Sequence, residues 1–265
     1  MKEFKIFLLA AFSTALVLGP GCTTARLNHV DSPGSATVSA TNANSAVVSP
    51  EFASPDGLTA TLTNGNVILH WTNHATADGG NWVEFATPGS EYIKLDVFTL
   101  GGATTFVHPD LAPQTTFIYH ILPFFGQSTA PVEITTGTST NDSPVLDEGP
   151  IESTNVVSSP EKDPVFSIRS LQTFAQAAPT NLTATLSSST SVDLHWRDCA
   201  SDEDGYLVEI GASGDGTFYV CALLPPDATS FRKAGLPLAT KCYFRVRAFF
   251  YGQASDTASA TTPAQ

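Results

Sequence analysis

The chain has 265 residues, is 42% apolar and 14% charged, and carries a net charge of −13 at neutral pH. That length and apolar share suit two small cores better than one large one. The acidity disfavours DNA, RNA and anionic lipid as partners by repulsion, and no run of Lys or Arg offsets it. Few charges with abundant Ser, Thr, Gly and Pro point to strands and turns rather than helical bundles.

Lys2 and Lys5 precede an apolar run over residues 6–18. It is short for a bilayer span and has the layout of a signal-peptide core. The run ends in Leu18-Gly19-Pro20-Gly21-Cys22. A small residue directly before Cys resembles the bacterial lipoprotein signal. That resemblance implies a lipidated Cys22 at the mature N-terminus and a membrane link through this anchor alone. Thr23, where an inner-membrane protein would have Asp, implies the outer membrane. An unused lipoprotein signal would leave the protein secreted. Residues 23–53 are a low-complexity tether of Ser, Thr, Ala and Asn with too few large apolar groups to offset the entropy of ordering.

Residues 54–136 read as one module. LTATL at 58–62 is a strand, Asn64-Gly65 a turn, and Val67, Leu69 and Trp71 alternate inward. Asp78-Gly79-Gly80 reads as a break before WVEF at 82–85. Residues 92–98 and 104–107 follow as strands. Then comes the strand that organises the module, within DLAPQTTFIYHILPFF at 110–125, where Phe117, Tyr119 and Ile121 share a face. Residues 131–135 are expected to close the set, giving seven strands. Residues 179–262 repeat this pattern: LTATL at 182–186, SVDLHW at 191–196 matching NVILHW, and CYFRVRAFF with Phe244, Val246 and Ala248 inward. Glu84 lies thirteen positions after Trp71, and Glu209 lies thirteen positions after Trp196. Residues 137–178 are acidic and rich in Ser, Thr and Pro, so they are expected to be an extended, flexible linker. Their more apolar end, VFSIRSLQTF at 165–174, is expected to dock on a module.

The pattern resembles the fibronectin type III domain, in the bacterial variety. The second module shows it best: Pro179 and Leu182 opening the first strand, Trp196 on the second, DEDGY at 202–206 entering the third, and YFRVRA at 243–248. The resemblance covers about two thirds of the chain. It implies an all-β fold, two immunoglobulin-like seven-stranded β-sandwiches joined by a flexible linker. One position departs from the family. The Tyr whose hydroxyl anchors the corner before the sixth strand is replaced by Phe117 and by Cys242.

The chemistry-bearing residues form no catalytic set, and neither a metal site nor a cofactor is expected. Cys199, Cys221 and Cys242 all lie in the second module. An exported protein could bridge two of the three, and the sequence does not choose which, or whether any pair forms. Asp198, Asp202, Glu203 and Asp204 cluster in a loop without the spacing of a calcium-binding loop. His70 and His195 occupy equivalent outward positions and read as features of the module. On the first module's outer sheet face, Trp82, Ile118 and Leu122 gather where the second has Leu207, Tyr243 and Arg247. An apolar patch of this kind marks a contact, either between modules or with a protein or glycan ligand. The expectation is a non-catalytic, exported cell-surface binding, adhesion or spacer module. The alternative is a carbohydrate-binding accessory of a polysaccharide-degrading system, which requires an exposed Trp82.

Overall fold

The computed structural model describes residues 50–99, 102–143, 146–148 and 174–264. Among these residues a 3₁₀ turn, Pro50–Phe52, precedes fourteen strands. The first seven are β1 (Asp56–Thr63), β2 (Asn66–Thr72), β3 (Gly79–Ala86), β4 (Ile93–Thr99), β5 (Thr105–His108), β6 (Thr116–Phe125) and β7 (Val132–Thr135). The second seven are β8 (Thr180–Ser188), β9 (Ser191–Arg197), β10 (Gly205–Gly211), β11 (Phe218–Leu224), β12 (Ser230–Lys233), β13 (Lys241–Tyr251) and β14 (Ala258–Thr261). All named pairings are antiparallel, so the fold is all-β.

Alternation builds the cores. On β2 and β6, every second residue points inward, and Val67, Leu69, Trp71, Phe117, Tyr119 and Ile121 fill the first sandwich with Val83. On β9 and β13 the equivalents are Val192, Leu194, Trp196, Phe244 and Val246, joined by Tyr206 and Val208 of β10. Burying each such side chain contributes about 1.5–3 kcal/mol. The break expected at Asp78-Gly79-Gly80 lies earlier, between Thr72 and Gly79: β3 already includes both glycines. The glycine allows close approach there, because a Cβ on Gly79 would sit 2.0 Å from the Phe124 carbonyl oxygen.

The closing strands depart from the sequence reading. β7 does not close its own sandwich; it pairs with β13, at Lys241↔Thr135 through Phe244↔Val132. β14 returns the exchange by pairing with β6, at Ala258↔Tyr119 through Thr261↔Thr116. The first sandwich is therefore β1-β2-β5 against β4-β3-β6-β14, and the second is β8-β9-β12 against β11-β10-β13-β7. Between the exchanged ends, β6 and β13 pair directly at Phe125↔Phe250 and Phe124↔Tyr251. A bridge at Ser128↔Arg247 and bonds from Thr129 N to Val246 O (2.8 Å) and Ser255 N to Ile121 O (2.9 Å) continue the ladder. Residues 116–135 thus run antiparallel to residues 241–261, and the two inner sheets become one continuous sheet.

The acidic connection is likewise no free tether over its described part. Asp142 accepts from Ser189 N (2.5 Å), and Asp147 accepts from Ala234 N (2.8 Å) and pairs with Lys233 (2.5 Å). Glu148 exchanges backbone bonds with Arg232, whose guanidinium also grips Asp193 through two nitrogens. Asp147 and Glu148 hold to the second sandwich because Lys233 and Arg232 supply the positive partners. Of the apolar stretch at 165–174, only Phe174 is described; it is buried against Phe52 and Phe250.

Candidate functional site at the seam

The outer faces of β3, β6, β10 and β13 meet and form a third, smaller core. Trp82, Phe124, Leu207 and Phe249 are its centre, with Val97, Leu122, Val220 and Tyr251 around them. Trp82 is 6% exposed and its ring tilts against Phe124, 5.8 Å between centroids. Of the three residues the sequence grouped, Trp82 and Leu122 meet here. Ile118 lies apart, half-buried between Ala86 and Ser259 on neighbouring strands. The Trp82 face is covered by Leu207, Phe249 and Tyr251 of the second sandwich, because pairing of β6 with β13 folds the two faces onto each other. An exposed Trp82 platform for a sugar ring is absent from this arrangement.

Charged groups flank this apolar centre on both sides. In the first sandwich, buried Glu84 accepts from Lys94 (3.0 Å) and shares a 2.6 Å hydrogen bond with His120. Burial alone would raise this carboxyl's pKa. The hydrogen bonds with His120 and Lys94 outweigh it and hold the carboxyl below its ordinary 4.5. Tyr92 stacks on His120 at 3.8 Å, and the Lys94 ammonium lies 5.2 Å from the Tyr251 ring and 5.5 Å from that of Trp82. Lys94 thereby joins the two sandwiches.

In the second sandwich, Glu209 is paired by both Arg245 and Arg247. Alternation places Arg245 and Arg247 on the face away from the sandwich core, yet Arg247 is 1% exposed. Its guanidinium bonds Glu209 (3.2 Å), Asp78 of the first sandwich (3.0 Å) and the carbonyl of Gly126. Gly126 sits at the crossing with φ +154°, and a Cβ there would lie 1.8 Å from the Ala248 carbonyl oxygen. Only glycine lets the chain cross so close to β13.

Two buried threonines fix the exchanged strands. Thr136, just past β7, donates its hydroxyl to Pro237 O (2.6 Å) and accepts from Thr240 N (2.8 Å). Thr262, just past β14, donates to Ala112 O (2.6 Å) and accepts from Thr115 N (3.0 Å). Each hydroxyl ties the corner before the sixth strand of the sandwich it has been lent to. These are the corners left without their usual tyrosine by Phe117 and Cys242, so the anchor comes from the other half of the chain. The sequence signal was the matched pair of Thr-Thr dipeptides at 135–136 and 261–262.

The remaining candidates fall elsewhere. Cys22 lies outside the described residues. Cys199, Cys221 and Cys242 are free thiols in this structure, one of the alternatives the sequence left open. Cys221 and Cys242 lie on β11 and β13 with β10 between them, about 9.5 Å across two strand spacings and beyond disulfide reach. Cys199 follows β9 near the Gly205 end of β10, whereas Cys242 lies at the Gly211 end. Burial pushes the Cys221 thiol up to about 12 and raises that of Cys242, so neither is a thiolate at neutral pH. Asp198, Glu203 and Asp227 bring carboxylate oxygens within 4.8 Å of one another. One oxygen of Asp198 accepts from both Tyr206 OH (2.5 Å) and Ala200 N (2.9 Å), and one oxygen of Glu203 accepts from Asp227 N (2.9 Å). Asp204, the next acid in the loop, accepts from Tyr251 N (2.7 Å).

No family model matches the sequence, and no curated protein matches it. Among solved structures, the FN1-FN3 domains of chicken CNTN1 share 17% identity, covering 81% of this chain and 68% of that one, at a TM-score of 0.26. A two-domain fibronectin type III segment from chicken tenascin shares 14% identity over 79% of this chain and all of its own (100%), at 0.24. A Fn3-like protein from Clostridium thermocellum shares 25% identity over 33% of this chain and 93% of that one, at 0.25. These structural neighbours are fibronectin type III proteins; the fold of this chain, two antiparallel sandwiches of seven strands with closing strands exchanged, rests on its own strand pairing.

Proposed function

We propose that the chain is a non-catalytic, exported lipoprotein that acts as a rigid binding or spacer module at the cell surface. The observation that carries this reading is the covered face of the first sandwich. The apolar patch around Trp82, outside the core of the first sandwich, packs against the second sandwich. Two filled sandwiches sharing one sheet make a stiff element, and a stiff element behind a signal and a low-complexity tether suits a spacer. The anchor is Cys22, and the membrane of residence is the outer one. Partners are a protein or glycan held by the exposed loops and strand edges.

The test is expression of the full chain and Cys22→Ser in a Gram-negative host. We expect labelled palmitate on the first chain only, and detergent-phase partition lost in the variant. Labelling that survives Cys22→Ser would sink the anchor. Saturable binding of the released chain to insoluble glycans, abolished by Trp82→Phe without loss of stability, would replace the spacer with the carbohydrate-binding accessory.

A further inference from the structure

The repeat offset makes the closing strands interchangeable in position. Gly126 matches Gly252, Val132 matches Ala258, Ile134 matches Ala260 and Thr136 matches Thr262. The backbone bonds and the threonine hydroxyls would be equally satisfied if each strand closed its own sandwich, because Thr136 and Thr262 make the same bonds to equivalent corners. Both hinges, 126–131 and 252–257, are long enough for an ordinary hairpin loop of about two to five residues. Here they run extended instead.

The core-facing side chains are not equivalent. In the exchanged form Phe117 lies opposite Ala260 and Tyr119 opposite Ala258, so the bulky sixth strand of the first sandwich receives the small closing strand. Cys242 lies opposite Ile134 and Phe244 opposite Val132, so the sixth strand that contains Cys receives the large one. Phe117 with Ala260 and Cys242 with Ile134 each sum to a moderate volume. Returning the strands would set Phe117 against Ile134, overfilling one core, and would leave Cys242 against Ala260, underfilling the other. Tyr119 and Phe244 are close in size, so Val132 and Ala258 contribute little to the preference.

We propose that the closing strands form a two-position latch set by side-chain size. The exchanged position locks the sandwiches into one unit. The returned position restores two separate sandwiches and uncovers the seam around Trp82, Leu207 and Phe249. This inference does not depend on the lipid anchor or on any ligand.

Paired cysteines in the full chain read the position. Ile118 and Ser259 are directly opposite in the exchanged ladder, on the outward side. In the returned form Glu133, which matches Ser259, takes that place. We expect Ile118→Cys with Ser259→Cys to oxidise within one chain, and Ile118→Cys with Glu133→Cys to stay reduced, as read by peptide mass spectrometry. Inverting the sizes with Val132→Ala, Ile134→Ala, Ala258→Val and Ala260→Ile should reverse this preference at least about ten-fold. It should also raise acrylamide quenching of tryptophan fluorescence as Trp82 is uncovered.

Oxidation of the 118–133 pair in the uninverted chain would overturn the proposal, as would a 118–259 bridge that forms only between chains. An unchanged preference after inversion would overturn the role of size. If the fourfold variant does not fold, Ile134→Ala with Ala260→Ile replaces it. A partial shift supports the latch, and no shift overturns it.

Discussion

Glu84 and Glu209 stand at the same place in the two sandwiches, thirteen residues after the core tryptophan, and their surroundings have diverged. Around Glu84 the partners are His120 and Lys94, with Trp82 and Leu122 beside them. Around Glu209, Arg245 stands at the His120 position, Arg247 at the Leu122 position and Leu207 at the Trp82 position. Each glutamate faces its partner across the strand pair, Glu84↔His120 and Glu209↔Arg245. One copy offers a large apolar surface; the other offers a buried guanidinium that reaches across to Asp78 and Gly126. A duplicated module has thus acquired two unlike faces that fit each other, which identical copies could not have done by apolar contact and ion pairing together.

The guanidinium side should be the more fragile. Arg247→Leu, which installs the residue type found at the equivalent position 122, leaves Glu209 with Arg245 alone and orphans the Gly126 carbonyl. We expect a loss of about 4 kcal/mol in urea denaturation; a loss under about 1 kcal/mol would mean the cluster is dispensable to the seam. On the apolar side, Trp82→Ala should cost about 3 kcal/mol by opening a cavity. An indole free in solvent would give almost none. Its Nε1 has no partner, so the loss should come from packing alone, and Trp82→Phe should recover most of it.

Glu84→Gln sharpens the contrast through pH. The Glu84 carboxyl is held below 4.5 by His120 and Lys94, so its contribution is present above the unfolded value and is lost as pH falls through the folded one. The variant should be about 2 kcal/mol less stable than the parent at pH 7. The gap should close as the pH is lowered below 4. A gap independent of pH would assign the effect to packing. The two threonine pegs should be smaller and equal. Thr136→Val and Thr262→Val each remove a buried hydroxyl from a corner and should each cost about 1.5 kcal/mol. Marked inequality would show that one exchanged strand carries the seam without the other.

Much of the sandwich was legible because alternation fixes which side chains go inward. Trp71 and Trp196, the LTATL strands and the core faces of β6 and β13 follow from a period of two. The exchange was not legible from pattern. VEIT and ASAT alternate alike, and nothing in a periodicity says which of two equivalent grooves a strand will enter. The information lay in volumes across the sheet, Phe117 with Ala260 and Cys242 with Ile134, which only register discloses. The buried Arg247 was hidden for the same reason: its face is polar by sequence and dry by assembly. The contacts of the described acidic residues were not legible either, because their partners Arg232 and Lys233, which bind Glu148 and Asp147, lie far along the chain.

The smallest effect is expected in the acidic loop of the second sandwich, where the sign is opposite to that at Glu84. Glu203 is nearly buried, and burial raises its carboxyl pKa, helped by the charges of Asp198 and Asp227 against the backbone bonds that lower it. A carboxyl raised in the folded state favours folding below its unfolded value and opposes it as pH rises through the folded one. Glu203→Gln keeps an oxygen for Asp227 N and removes a buried charge from between two others. The variant should therefore be more stable than the parent by about 1 kcal/mol at pH 7. At pH 4, where the parent's Glu203 is largely neutral, the two should melt together. A stabilisation that persists undiminished at pH 4 would show that shape, not charge, separates the amide from the acid. Destabilisation at pH 7 would mean that the carboxylate is held by contacts stronger than the repulsion of its neighbours.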